Sequence, residues 1–185
     1  SRKVTVPKNP GRSFSFALGP EGRHAPTPIP FRVSNHENLL ENEPNDRRDA
    51  ANRFSVAQAP CGVIAVPGDR DWYAFEAKEG QVLNVEIFAR RMRSPLDSAI
   101  SIYDQQGVRL NANDDGGRVT EHADAEPRGP DSYLRRKGPS DGSYYVEVRD
   151  RLGAGSPLHV YRLECSTVNP WMIVRLPRVQ DPNEL

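Results

Sequence analysis

Two stretches decide how the chain is read: Glu41-Asn42-Glu43-Pro44-Asn45-Asp46 and, further on, Gly68-Asp69-Arg70-Asp71-Trp72-Tyr73. The first gathers three carboxylates and two amides around a proline. The second adds two carboxylates at the start of an aromatic strand. Oxygen-rich clusters of this kind suit a hard cation, because Ca²⁺ takes six to eight oxygen ligands from carboxylates, amides and carbonyls. Pro44 fixes its own φ and biases Glu43 toward an extended conformation, so less entropy is lost when the ligands converge. The plainer alternative is a solvated acidic linker, since loops carry the same residue types.

Outward from these stretches, the chain alternates at period two in many short segments. Strands are expected at 62–66, 72–77, 81–89, 98–103, 107–111, 143–149 and 158–165. Leu83, Val85 and Ile87 should share one face, opposite Asn84 and Glu86. Tyr144, Val146 and Val148 should likewise oppose Tyr145, Glu147 and Arg149. Short alternating strands punctuated by Gly, Pro and Asp indicate an all-β sandwich or barrel. Between the two acidic stretches, 47–52 favours a helical turn or two, with Asn45 or Asp46 placed to cap it. The interval from Asn111 to Pro139 is the longest without periodicity.

The ordered succession E-x-E-P-N-D, G-D-x-D-W-Y, S-P-L-D-S, Y-D-x-x-G, N-D-D, G-S-Y-Y-V-E-V-R-D and a closing Y-R-L resembles the bacterial pre-peptidase C-terminal domain. That family includes the collagen-binding domains of clostridial collagenases. The resemblance covers about Glu41 to Ser166 and implies an antiparallel β-sandwich of jelly-roll type, appended to secreted enzymes. In the collagenase members the E-x-E-P-N-[DN] segment and a following aspartate pair bind calcium. By position this implicates Glu41, Glu43, Asn45, Asp46 and Asp71, together with Asp69. The collagenase pair reads D-x-x-D, whereas this chain has Asp69-Arg70-Asp71, with Gly68 where the earlier aspartate would fall. The recurring family aspartates fall here at Asp97, Asp114 and Asp115. With Asp131 they make a second candidate cation site or, alternatively, Asx-bonded turns. Asn111 to Gly116 imitates the start of an EF-hand loop, but Asn stands first and His122 twelfth, so that reading is rejected.

Composition narrows the function. Hydrophobic content is 36%, with Pro 17 and Gly 14, so much of the chain is loop. Twenty-five basic and 25 acidic residues cancel, which argues against a nucleic-acid or membrane-surface protein. No apolar run is long enough to span a bilayer. The chain begins at Ser1 without methionine and reads as a piece of a longer protein. Two cysteines, Cys61 and Cys165, fall in the first and last sandwich strands, which can be neighbours. A disulfide between them would add about 4 kcal/mol in the chain-entropy model; two free thiols are the alternative.

Three regions follow from this reading. Residues 1–36 carry an accessory β-ribbon or the remnant of an upstream immunoglobulin-like domain, with strands at Lys3–Val6, Ser13–Leu18 and Ile29–Val33. Residues 37–168 form the sandwich. Residues 169–185 add a strand at Trp171–Leu176 and a tail. None of His24, His36, His122 and His159 lies in H-x-x-x-H, and no G-x-S-x-G elbow or phosphate loop appears, so no catalytic residues are assigned.

The expected function is a non-catalytic, calcium-stabilised module of a larger secreted, periplasmic or cell-surface bacterial protein. It would serve adhesion, spacing or substrate targeting next to neighbouring domains. The alternative is a carbohydrate- or collagen-like protein-binding module with an exposed aromatic face, where Tyr145 is the outward candidate. A hydrolase with an unrecognised site is the third class.

Overall fold

The structure is a computed structural model that describes residues 12–16, 28–116 and 129–168. Twelve strands account for most of this: β1 Arg12–Phe16, β2 Ile29–Val33, β3 Glu37–Leu40, β4 Asn52–Arg53, β5 Gln58–Val63, β6 Arg70–Ala77, β7 Val82–Phe88, β8 Ser98–Tyr103, β9 Arg109–Asn113, β10 Tyr133–Lys137, β11 Gly142–Asp150 and β12 Val160–Val168. The first sheet has the order β10-β7-β12-β5-β3 and the second β4-β6-β11-β8-β9. The all-β class expected from the sequence holds.

Pairing is not wholly antiparallel, however. β3 runs parallel to β5, and β4 parallel to β6. Both exceptions are short edge strands flanking the acidic hexapeptide, and both lie outside the alternating segments that sequence periodicity detects. β10 was likewise unexpected: Arg135, Arg136 and Lys137 are exposed, and Leu134 alone of the strand is buried. The helix expected over 47–52 is a single 3-10 turn at Arg48–Ala50. Its cap residue is Arg47, without a side-chain cap bond, rather than Asn45 or Asp46.

The two sheets meet face to face across one core. Leu83, Val85, Ile87 and Leu163 enter it from the first sheet, all fully buried. Tyr73, Phe75, Val146, Val148, Ile100 and Ile102 enter from the second. The expected parities of β7 and β11 are therefore right. Each large apolar side chain so buried stabilises by about 1.5–3 kcal/mol. Aromatic contacts add to this, with Phe75 stacked on Tyr144 at 6.0 Å between centroids.

β1 and β2 form a separate antiparallel ribbon, Phe14 opposite Phe31. Arg32 of β2 reaches Glu164 of β12 through two hydrogen bonds of 2.8 and 2.7 Å. Its guanidinium also lies 3.7 Å from the Phe88 ring centroid. Arg32 thereby ties the ribbon to the outer face of the first sheet. The strands expected at Lys3–Val6 and Trp171–Leu176, and the tail, lie outside the described residues.

The cysteines do not pair; both are free thiols. β5 and β12 are indeed neighbours, but Cys61 stands opposite Arg162 and Cys165 opposite Val85. Arg162 and Cys165 differ by an odd number of positions, so their side chains leave opposite faces of β12. Cys165 points into the core, and Cys61 shares the outer face with Arg162, 3.7 Å from its guanidinium. No rotamer can bridge the two.

Candidate metal centre and the residues around it

The acidic hexapeptide crosses from one sheet to the other. At its start the Glu41 N–H donates to the Cys61 carbonyl at 3.1 Å, continuing the pairing of β3 with β5. Four residues later the Asn45 carbonyl accepts from the Trp72 N–H at 3.0 Å, at the edge of the second sheet. Asn52 latches the crossing: its amide accepts from the Asn42 N–H at 2.6 Å and donates to the Asn42 carbonyl at 2.9 Å. The Glu43–Pro44 peptide within the crossing is cis.

This path brings the predicted ligands together. Glu41, Glu43 and Asp71 each present a carboxylate oxygen, and the three oxygens lie within 4.8 Å of one another. Asn45 is fully buried beside them. One end of its amide lies 3.2 Å from Asp71 Oδ1 and 3.1 Å from Glu43 Oε2. With oxygen at that end, it faces two carboxylate oxygens, of which Glu43 Oε2 also accepts from the Asn45 N–H at 2.7 Å. With the amide turned over, its NH₂ donates to both carboxylates. In either orientation the donor set, three carboxylates and one amide, is of the kind a hard metal ion takes.

The electrostatics agree. Burial pushes the fully enclosed Asp71 carboxyl up to about 8, helped by the negative charges of Glu41, Asp69 and Glu43, against the pull of a hydrogen bond from Tyr161. Burial also raises the Glu41 carboxyl, although the Val63 N–H holds its Oε1 at 2.8 Å. Asp46 and Asp69 form an adjacent pair. The neighbouring Asp69 carboxylate raises the Asp46 carboxyl above its ordinary value. Asp69 is oriented by the N–H groups of Ala65 and Arg70 at 2.6 and 2.8 Å. Carboxylates crowded without a cation repel one another, and a bound cation would relieve that repulsion.

Two tyrosines missed by sequence reasoning hold the cluster from below. Tyr161 donates to Asp71 Oδ2 at 2.5 Å and meets the Tyr73 hydroxyl at 2.7 Å. Tyr73 also bonds Glu41 Oε2 at 3.2 Å. Burial raises both phenols well above their ordinary value, so they remain hydrogen-bond donors. The closing Y-R-L motif contains Tyr161, but only its inward parity on β12 could have signalled the contact.

The other predicted acids go elsewhere. Asp131 is fully buried, where it accepts from the N–H groups of Arg90 and Arg91 and from Arg91 Nε at 2.7 Å. Asp114 pairs with Arg151 at 2.6 Å, and Asp115 is exposed. The Asp97 N–H donates to Asp150, so its backbone serves a turn. Among the described residues these four form no common carboxylate cluster. His36 and His159 each bond a nearby serine hydroxyl, Ser34 at 3.0 Å and Ser156 at 2.8 Å, within local turns. His24 and His122 lie outside the described residues.

Residues 69–150 match the bacterial pre-peptidase C-terminal domain. The match begins at Asp69, so the hexapeptide precedes it in sequence and joins it in space. A stretch of 109 residues is 30% identical to part of a probable subtilase-type serine protease of Deinococcus radiodurans, covering 57% of this chain and 14% of that protein. The chain thus spans a small fraction of the relative's length. Two solved structures are also similar. The pre-peptidase C-terminal domain of a Bacillus anthracis collagenase is 16% identical, with coverage of 68% here and 100% there and a TM-score of 0.42. PliG of Aeromonas hydrophila, a periplasmic inhibitor of g-type lysozyme, is 15% identical, with coverage of 72% and 98% and a TM-score of 0.43. The family model that matches is thus the one the motifs resemble, over residues 69–150 of the expected Glu41 to Ser166.

Proposed function

We propose that this chain is a non-catalytic module of a larger secreted, periplasmic or cell-surface protein, stabilised by calcium and serving adhesion, spacing or substrate targeting. The reading is carried by one observation: the fully buried Asn45 and Asp71 converge with Glu41 and Glu43 where the hexapeptide passes between the two sheets. Glu41, Glu43, Asn45 and Asp71 would hold Ca²⁺, with Asp46 and Asp69 alongside. The ion would supply the positive charge that the converging carboxylates lack. It would thereby fasten the edge of one sheet to the edge of the other.

A relative in which a matching segment occupies a small part of a protease supports the module role. The test is thermal unfolding of the chain with EDTA and with excess CaCl₂. A ligand that binds only the folded state adds about 2.7 kcal/mol at a hundredfold excess over Kd. The melting temperature should rise with calcium and fall with chelator. Identical curves would remove the metal and leave the family intact.

A further inference from the structure

The outer face of the second sheet joins aromatic rings to guanidinium groups. Trp72 of β6 and Tyr103 of β8 stand outward with ring centroids 5.0 Å apart. Tyr145 of β11, opposite Tyr103 in register, has the Arg48 guanidinium 5.4 Å from its ring centroid. Beneath the rings Glu147 is only 4% exposed, and it takes the Tyr103 hydroxyl at 2.8 Å and Arg70 at 3.0 Å. That carboxylate is thus committed to the protein and fixes both partners on the face.

Other arginines of the face have no such partner. Arg48 bonds the Gln105 carbonyl at 3.5 Å, and Arg149 the carbonyls of Asp150 and Arg151 at 3.2 and 3.4 Å. Among the described residues neither forms an ion pair. The chain as a whole balances 25 basic against 25 acidic residues, so this face is a local excess of positive charge.

A guanidinium fork matches a carboxylate through two parallel hydrogen bonds. An aromatic face, negative at its centre, receives the positively polarised C–H bonds of a sugar ring. Tyr145 and Arg149 lie four residues apart on one strand, about 13 Å, which accommodates a few sugars. Next to Arg48, Asp49 is paired with Arg47 at 2.6 Å and leaves the Arg48 guanidinium to the ligand. We propose that this face binds a uronic-acid polysaccharide through Trp72, Tyr103 and Tyr145 with Arg48 and Arg149. The proposal names a ligand for the module proposed above and uses none of its metal residues.

The experiment is calorimetric titration of the calcium-loaded chain with hyaluronan oligosaccharides, which carry a carboxylate on alternate sugars. Dextran and oligo(dT) serve as comparison ligands. Hyaluronan should bind, more weakly as salt rises. Arg48→Gln and Arg149→Gln should each weaken binding about tenfold with unchanged melting temperature, and Tyr145→Ala should weaken it as well. Asp71→Asn should lose the calcium response and keep hyaluronan binding. No heat with hyaluronan, or equal binding of dextran, overturns the proposal. Tighter binding of oligo(dT), lost in the same arginine variants, overturns it in favour of a nucleic-acid surface. A chain that responds to calcium but ignores hyaluronan loses only the ligand assignment; the converse loses only the metal.

Discussion

Gly62 of β5 lies directly against Glu41: a Cβ placed on it would stand 2.3 Å from Glu41 Oε2 and 2.5 Å from the Tyr161 hydroxyl. Real atoms do not approach so closely, so only glycine leaves room for the carboxylate and the phenol to meet Asp71. Gly62→Ala should push Glu41 out of the cluster. Overpacking of this kind costs about 2 kcal/mol, and calcium affinity should fall as well. Chemical denaturation with and without calcium checks both, and an alanine variant that keeps full calcium stabilisation would contradict the role given to Glu41.

The ribbon's anchor predicts an acid limit. Burial alone would raise the Glu164 carboxyl, but hydrogen bonds from Arg32 and Arg162 outweigh it and hold the group down at about 2, against an ordinary 4.5. A carboxyl with a depressed folded-state value stabilises above its unfolded value. That stability is lost as pH falls from about 4.5 through about 2. The contribution is on the order of 3 kcal/mol. Unfolding free energy measured across this window should drop in the wild type and stay flatter in Glu164→Gln.

Asp131 anchors the turn after β7 from within the protein. Removing a buried acceptor leaves its donors unsatisfied, at a cost of about 1–3 kcal/mol. Asp131→Ala takes the acceptor from the Arg90 and Arg91 N–H groups and from Arg91 Nε, while Arg91 keeps Glu86 at 2.9 Å and its place over the Phe88 ring at 4.2 Å. Its melting temperature should fall further than that of Asp115→Ala, where the acid is exposed.

The free thiols give a prediction of opposite sign. Since Cys61 and Cys165 leave opposite faces of the sheet, reductant should not change the melting temperature. A downward shift with dithiothreitol would show a bridge between them.

The strands rich in alternating apolar residues were legible in the sequence, although β5 lies at Gln58–Val63 rather than 62–66 and β9 at Arg109–Asn113 rather than 107–111. β8 lies where the sequence placed it, Ser98–Tyr103, with Ile100 and Ile102 in the core. β3, β4 and β10 sit at sheet edges, where one side meets no partner strand, and Glu37, Asn38, Arg53 and Arg136 need not be apolar. The carboxylate cluster proposed to hold a metal was visible because carboxylates and amides are rarely so dense beside a proline. Their hydroxyl supports were not, since Tyr73 and Tyr161 look like ordinary core aromatics until β6 and β12 are brought together. Glu147 has the outward parity expected of it, and Tyr103 and Arg70 close over it.

Direct calorimetric titration of Ca²⁺ into the chelator-stripped chain, beside Asp71→Asn, tests the central claim most closely. The account predicts saturable binding in the wild type and none at that site in the variant, with the melting temperature rising as sites fill. Absence of calcium binding by the wild type, or equal binding by Asp71→Asn, would contradict it.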